Sequence, residues 1–165
     1  MNIFSSIYNH SNNYILHYFT AVEFALISLF YSFFFRNYFK PYLINLFIPL
    51  FLIAAYIDYR VYGLFSVYNF SPSVECIVLI IYSFFFLYYA LKNLIFENLL
   101  STPVFWINTA ILFYFSGNLI LFIFSDYMAK SDIIKYGILW SIIHTFFNLL
   151  YNILLSIGFW KTKSR

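Results

Sequence analysis

Long apolar runs constrain the fold of this 165-residue chain more than any other feature. Several runs exceed about 18 residues with no more than one charge, which is typical of a helix that crosses a lipid bilayer. They do not alternate polar and apolar residues in segments of about ten, as the strands of a membrane barrel would. Charged residues make up 9% of the sequence, against roughly 25% in soluble domains. The sequence therefore predicts an all-α, polytopic transmembrane helical bundle.

Short polar connections divide the chain into about five spans within one transmembrane domain, residues 1–165. The predicted spans cover residues 13–35, 42–59, 74–91, 104–125 and 134–159. We expect Pro41 and Pro103 to open the second and fourth spans, because the first turn of a helix tolerates a missing N–H. We expect residues 61–73 to lie in the headgroup layer and residues 126–135 to form a polar loop.

Basic residues predict the orientation of the chain in the membrane. Five spans put the termini on opposite sides, and a cytoplasmic C-terminus places six basic residues on its own side: Arg36, Lys40, Lys92, Lys161, Lys163 and Arg165. The opposite side then holds Arg60, Lys130 and Lys135. Because cytoplasmic loops carry an excess of Lys and Arg, we predict a protein of the inner (cytoplasmic) membrane with its N-terminus outside.

The last span has one polar face. Small and polar residues recur along it at steps of three and four: Gly137, Ser141, His144, Thr145, Asn148, Asn152 and Ser156. That spacing places them on one side of a helix. Membrane helices associate through such residues, so we expect this face to turn inward against the other helices. Asn148 and Asn152 then either line a path through the membrane or pack tightly, and we favour packing.

Glu23 is the only acidic residue well inside a predicted span. An ionised side chain at the bilayer centre costs at least about 2.5–3.5 kcal/mol, so we expect Glu23 to be protonated or partnered. At about 1.5 Å per residue, Glu23 and His144 both lie roughly 15 Å below the outer ends of their spans. The matched depth predicts a buried Glu23–His144 interaction with Thr20 and Asn118 nearby.

The predicted Glu23–His144 pair has two interpretations. It is a structural hydrogen bond between the first and fifth spans, which we favour, or a group that takes up and releases a proton. His17 lies near the outer end of the first span, where we favour contact with headgroups over a cavity. The full candidate polar cluster at membrane depth is Glu23, His144, Thr20, Asn118, Asn148, Asn152 and His17.

Motifs for catalysis or cofactor binding do not occur in the sequence. His10, His17 and His144 lack metal-ligand spacing, so we expect no haem, metal or other cofactor. The four glycines are too few for a phosphate-binding loop, and no nucleophile is paired with a base. The net charge of +3 fits an orientation signal and not a nucleic-acid-binding surface. These features argue against an enzyme without deciding the question.

Two segments resemble a pattern in uncharacterised multi-pass membrane proteins of the Bacteroidetes kind. The first comprises Asn12, Asn13, His17, Thr20, Glu23 and Phe24, and the second runs through residues 103–107. The resemblance covers most of the chain and implies relatives that often carry further N-terminal spans. It implies no established activity, but it groups Thr20, His17 and Glu23 together.

Three functional classes remain open at this point. We favour a small accessory or signalling/sensory membrane module that works in the lipid bilayer with a larger membrane protein or as a homo-oligomer. The alternative is a small proton-linked transporter or carrier that uses a buried Glu/His pair. A membrane-embedded enzyme acting on lipids or quinones is the least supported. Aqueous labelling of a cysteine at Asn148 separates a water path, which is labelled, from packing, which is protected.

Overall fold

The computed structural model describes residues 3–36, 41–62, 70–92, 98–131 and 133–163. Within these ranges, the side chains of residues 3–17, 41–43, 58–59, 61–62, 125–131, 133, 136 and 163 lie outside the description.

The described chain is helical almost throughout and contains no strand. Its helices are α1 (Ile3–Phe35), α2 (Pro41–Tyr62), α3 (Phe70–Lys92), α4 (Pro103–Ser131) and α5 (Ile133–Lys163), with a short 3₁₀ turn at Leu99–Ser101 before α4. The prediction of an all-α protein is confirmed. Pro41 and Pro103 are the first residues of α2 and α4, as expected for residues without an N–H to donate.

Four of these helices are long and apolar enough to cross a membrane. The candidate spans within the described residues are Tyr18–Phe35, Phe70–Lys92, Pro103–Phe124 and Gly137–Thr162. In α2 the corresponding apolar stretch is the shorter Ile44–Ile57. The whole of α2 has 22 residues, which extend about 33 Å at about 1.5 Å per residue. The chain is thus an all-α membrane protein, and a crossing by α2 stays a prediction.

All five helices are longer than their predicted spans, and α1 and α4 exceed the prediction most. The first begins at Ile3, ten residues before the predicted start at residue 13. The fourth continues to Ser131 through most of the predicted polar loop, and α5 begins at Ile133. The prediction of a loop over residues 126–135 is therefore wrong. Residues 126–131 contain neither Gly nor Pro and include Met, Ala and Lys, which favour helix.

The predicted headgroup segment, residues 61–73, is also helical at both ends. The second helix reaches Tyr62 and α3 starts at Phe70, while residues 63–69 fall outside the described part of the chain. The earlier start of α3 matters for Glu75, because it places this residue in the second turn of the helix.

The chain divides into two compact units, residues 1–75 and 76–165. In the first unit, α1 packs against α2, and the rings of Phe24 and Phe51 stack with their centroids 4.1 Å apart. The buried side chains of α1 recur at helical spacing and mix large rings with small polar groups: Thr20, Phe24, Ser28, Tyr31, Ser32 and Phe35. Small hydroxyl-bearing residues in this pattern are typical of membrane helix packing.

In the second unit, α4 and α5 pack along each other. Two glycines permit the close approach. A Cβ on Gly117 of α4 would overlap the ring of Phe147 on α5. A Cβ on Gly158 of α5 would lie 3.1 Å from Ile107 Cγ1 and 3.3 Å from the Pro103 carbonyl. The pairing therefore depends on shape both at the middle of α4 and at its first turns.

Candidate functional site

The polar contact at the centre of the α4–α5 pair joins His144 to Asn118, whose side chain is buried. Nδ1 of His144 lies 2.8 Å from Oδ1 of Asn118. The Asn118 amide nitrogen donates to the Tyr114 carbonyl one turn earlier on α4, also at 2.8 Å, and this bond turns the amide oxygen toward α5. A carboxamide oxygen only accepts hydrogen bonds, so Nδ1 of His144 carries the proton and donates it.

Aromatic rings surround this hydrogen bond. Trp140 stacks on His144 with ring centroids 4.5 Å apart and an interplanar angle of 17°. Tyr114 lies 6.1 Å from the imidazole, and its ring contacts that of Tyr151 at 4.9 Å. Trp140 and Tyr114 therefore place apolar rings beside the half-buried His144, and a hydrogen bond in surroundings of low dielectric constant is stronger than one in water. The hydrogen bond and the ring contacts therefore hold α4 and α5 together.

The prediction placed Asn118 near His144, and the two are in direct contact. His144 therefore forms a hydrogen bond to a partner on α4, which is a different bond from the predicted one to Glu23 on α1. Glu23 belongs to the first compact unit and His144 to the second, so the predicted Glu23–His144 interaction stays a prediction.

The polar stripe of α5 is the clearest departure from the sequence prediction. We use this name for Ser141, Thr145, Asn148, Asn152 and Ser156, all of which are exposed. The expectation that the predicted polar face turns inward is wrong for these five residues, including Asn148 and Asn152. Gly137 of the same predicted face is also exposed, whereas His144 contacts Asn118 of α4. The helix packs on α4 through a different face, which carries Trp140, His144, Phe147, Tyr151, Leu154 and Gly158.

Packing explains why α5 turns that other face toward α4. Large rings and a glycine on α5 fit against Gly117 and the first turns of α4, which gives many close contacts. Inside a membrane, lipid tails are as apolar as a leucine side chain, so shape decides which face of a helix is covered. The short side chains of the polar stripe offer less surface for contact with α4.

The amides of the polar stripe bond within their own helix. Nδ2 of Asn152 donates to both the carbonyl oxygen and Oδ1 of Asn148, each at 2.8 Å. The Ser156 hydroxyl donates to the Asn152 carbonyl at 2.7 Å. Residues four apart on a helix are neighbours, which is why these side chains meet. Toward the C-terminus the stripe borders an open groove that includes Trp160 and Lys161.

The remaining candidates lie on α1. Thr20 is buried, and Glu23, three residues later, is partly buried. His17 is part of the same helix, but its side chain is outside the described part of the structure. Thr20 and Glu23 therefore lie close together along α1, as the resemblance groups them.

Sequence reasoning missed Glu75 as a buried group. Its side chain is 3% exposed, and its Oε1 has no hydrogen-bond partner among the described residues. The Glu75 carboxyl also lies within electrostatic range of Glu23. The signal that could have found it is the start of α3: a helix that begins at Phe70 carries Glu75 into the span.

A second buried amide was also missed. Asn108 of α4 is fully buried, and its Nδ2 lies 3.5 Å from the Ser83 carbonyl of α3. Within the described residues, no three His, Cys, Asp or Glu side chains gather as a metal site would require.

No protein-family model matches the chain, and no curated protein or solved structure matches it. The resemblance to Bacteroidetes membrane proteins stays a prediction. The function is therefore argued from the geometry of the helices.

Proposed function

We propose that the protein is a small, non-catalytic accessory or sensory module of the cytoplasmic membrane that assembles with other transmembrane helices through α5. One observation carries the proposal: Asn148 and Asn152 are exposed near the middle of the candidate span Gly137–Thr162. A helix that keeps two amides on its surface at that depth needs a protein neighbour.

Amides exposed to hydrocarbon raise the free energy of a membrane helix. Moving an amide out of water without replacing its hydrogen bonds costs roughly 2–7 kcal/mol, and acyl chains offer no replacement. Asn148 and Asn152 satisfy part of this requirement within α5. The remaining donor and acceptor groups favour burial against a polar partner helix.

The other polar contacts of the second unit support a structural role. Asn118 and His144 bind each other, and Asn108 approaches the backbone of α3. Each of these groups joins two helices, as interhelical hydrogen bonds in membranes commonly do. An accessory or sensory module needs such a rigid helix pair to present its docking face.

Orientation is part of the proposal. The six-to-three excess of basic residues supports a cytoplasmic C-terminus and an external N-terminus. Green fluorescent protein fused after Arg165 should fluoresce, because this reporter folds in the cytoplasm. Alkaline phosphatase at the same position should be inactive, and the reverse pattern would contradict the orientation.

Labelling in native membranes tests the assembly role. In a Cys76→Ala background, which removes the single cysteine of the sequence, Asn148→Cys should resist a membrane-impermeant maleimide. The matched control is Lys135→Cys, an exposed position outside the candidate span Gly137–Thr162, which should react. Rapid labelling at both positions would mean that water reaches the polar stripe, and the assembly role would be rejected.

A second candidate function, a proton-linked carrier, is favoured by Glu23 and Glu75. Two carboxyl groups in electrostatic range inside a span are suitable groups for holding a proton or a monovalent cation. Proton uptake into liposomes is the test. A carrier should lose uptake in both Glu23→Gln and Glu75→Gln, while Asp132→Asn, at a position outside the candidate spans, retains it. Uptake no faster than in protein-free liposomes would exclude this candidate.

A further inference from the structure

We propose that a second copy of this chain covers the polar stripe of α5, so that the protein forms a parallel homodimer through Ser141, Thr145, Asn148, Asn152 and Ser156. This inference rests on the proposed assembly role and names its partner.

Asn148 and Asn152 lie deep inside the candidate span of α5. Asn148 lies eleven residues after the start of the candidate span Gly137–Thr162, and Asn152 lies ten residues before its end. At about 1.5 Å per residue, both amides are roughly 15 Å or more from either end of the span. Neither the water layer nor the headgroups lie within reach of an asparagine side chain at that depth.

Asn148 and Asn152 use only some of their amide hydrogen-bonding groups within α5. The bond within α5 uses Nδ2 of Asn152 and Oδ1 of Asn148. Among the described residues, Nδ2 of Asn148 and Oδ1 of Asn152 have no hydrogen-bond partner. A neutral amide nitrogen donates two hydrogen bonds and a carboxamide oxygen accepts two. The stripe therefore presents an unsatisfied donor and an unsatisfied acceptor one helical turn apart.

A second copy offers the complementary groups. Each chain can donate from Asn148 to an amide oxygen of its partner and accept at Asn152 in return, so both copies are satisfied by one symmetric contact. Such an interface uses the same surface patch on both subunits, as two-fold dimers do. The stripe carries no charge, so it offers nothing to a charged partner surface.

The other stripe residues suit a close helix crossing. Ser141, Thr145 and Ser156 are short, and short side chains allow the backbones of two membrane helices to approach. Ser141 and Asn152 are eleven residues apart, as are Thr145 and Ser156. An eleven-residue repeat corresponds to about 3.67 residues per turn and favours a right-handed crossing. Copies inserted in the same orientation bring equal depths together, so the pairing is parallel.

Disulfide cross-linking in native membranes tests the dimer. In a Cys76→Ala background, Thr145→Cys lies on the stripe, and the next residue, Phe146→Cys, points about 100° away around the helix at nearly the same depth. Both positions are exposed. Mild oxidation should give about tenfold more disulfide-linked dimer at residue 145 than at residue 146, because only the stripe faces the second copy.

A second measurement tests whether the two asparagine side chains are needed for the dimer. Adding Asn148→Leu and Asn152→Leu should abolish the preference for residue 145 and shift the detergent-solubilised protein from dimer to monomer in light scattering. Both residues are exposed, so the helix content should remain unchanged. A dimer that persists in this variant would overturn the inference.

The outcomes distinguish the homodimer from the assembly role beneath it. Equal or absent cross-linking at residues 145 and 146 overturns the homodimer. If Asn148→Cys nevertheless stays protected from aqueous maleimide, water does not reach the stripe and the assembly role is not rejected. A different membrane protein that co-purifies in mild detergent with the unaltered chain, but not with the Asn148→Leu, Asn152→Leu variant, would then support that role. If that cysteine is labelled rapidly, both the homodimer and the assembly role fail.

Discussion

The asparagines of α4 and α5 lie inside neighbouring spans but have opposite environments. Asn108 and Asn118 on α4 are buried, and each approaches a different helix, through the Ser83 carbonyl and the His144 imidazole. Asn148 and Asn152 on α5 are exposed and bond to each other. The position of neighbouring helices, and not the type of residue, therefore decides whether an amide in a span is buried.

Within α5 the same comparison separates two faces. One face packs on α4 through rings and a glycine, and the other carries the polar stripe without a covering helix. The first face is defined by shape and the second by unsatisfied hydrogen bonds. Substitutions on the two faces should therefore differ sharply in their effect on the isolated chain.

The largest expected effect is at Gly117. Leucine there cannot coexist with the Phe147 ring in its present position, so Gly117→Leu should destabilise the protein by about 3 kcal/mol. Thermal unfolding in detergent, followed by circular dichroism, measures the loss. The control is Gly137→Leu, because nothing lies within 4 Å of a Cβ at Gly137. Equal losses at both glycines would show that α4 and α5 do not approach as described.

An intermediate effect is expected at Asn118. Asn118→Leu leaves the Nδ1–H of His144 without its acceptor, which should cost about 1–2 kcal/mol in the same unfolding measurement. In a detergent that keeps the chain monomeric, Asn148→Leu removes an exposed amide and should leave the free energy of unfolding unchanged or higher. If Asn148→Leu were the more destabilising of the two, the assignment of buried and exposed amides would be reversed.

The smallest expected effect is at the start of α4. The indole nitrogen of Trp106 donates to the Leu100 carbonyl at 2.8 Å, and Lys161 Nζ lies 5.9 Å from the centroid of the Trp106 ring. Trp106→Phe should cost about 1 kcal/mol through the lost hydrogen bond. Trp160 is 78% exposed, so Trp160→Phe should have no measurable effect. Matching losses in the two variants would mean that the Leu100 contact contributes nothing.

The sequence predicts the helices well because their signals are local. Apolar runs of sufficient length mark the spans, and Pro41 and Pro103 mark two helix starts. Gly117 is also a local signal, because a glycine in a span permits another helix to approach closely, as Phe147 does. The boundary after Ser125 was missed because the polar residues that follow include good helix formers, and polarity alone does not end a helix.

The contacts between helices are less predictable, and α5 shows why. Spacing identifies its polar face but not the face that packs, since no hydrophobic driving force separates helix from lipid. The partner of His144 was partly predictable, because depth placed Asn118 near it. Glu75 was missed since its burial depends on the early start of α3 at Phe70.

Intrachain disulfide formation between α4 and α5 shows whether α5 packs on α4 by its aromatic face, as the structure has it, or by the polar stripe. In a Cys76→Ala background, Asn118→Cys is combined either with His144→Cys or with Thr145→Cys, and the oxidised chains are analysed by mass spectrometry. The structure predicts much more intrachain disulfide for residues 118 and 144, whose side chains face each other, than for residues 118 and 145, since Thr145 is exposed on the polar stripe. A disulfide that forms with residue 145 and not with residue 144 would contradict the account.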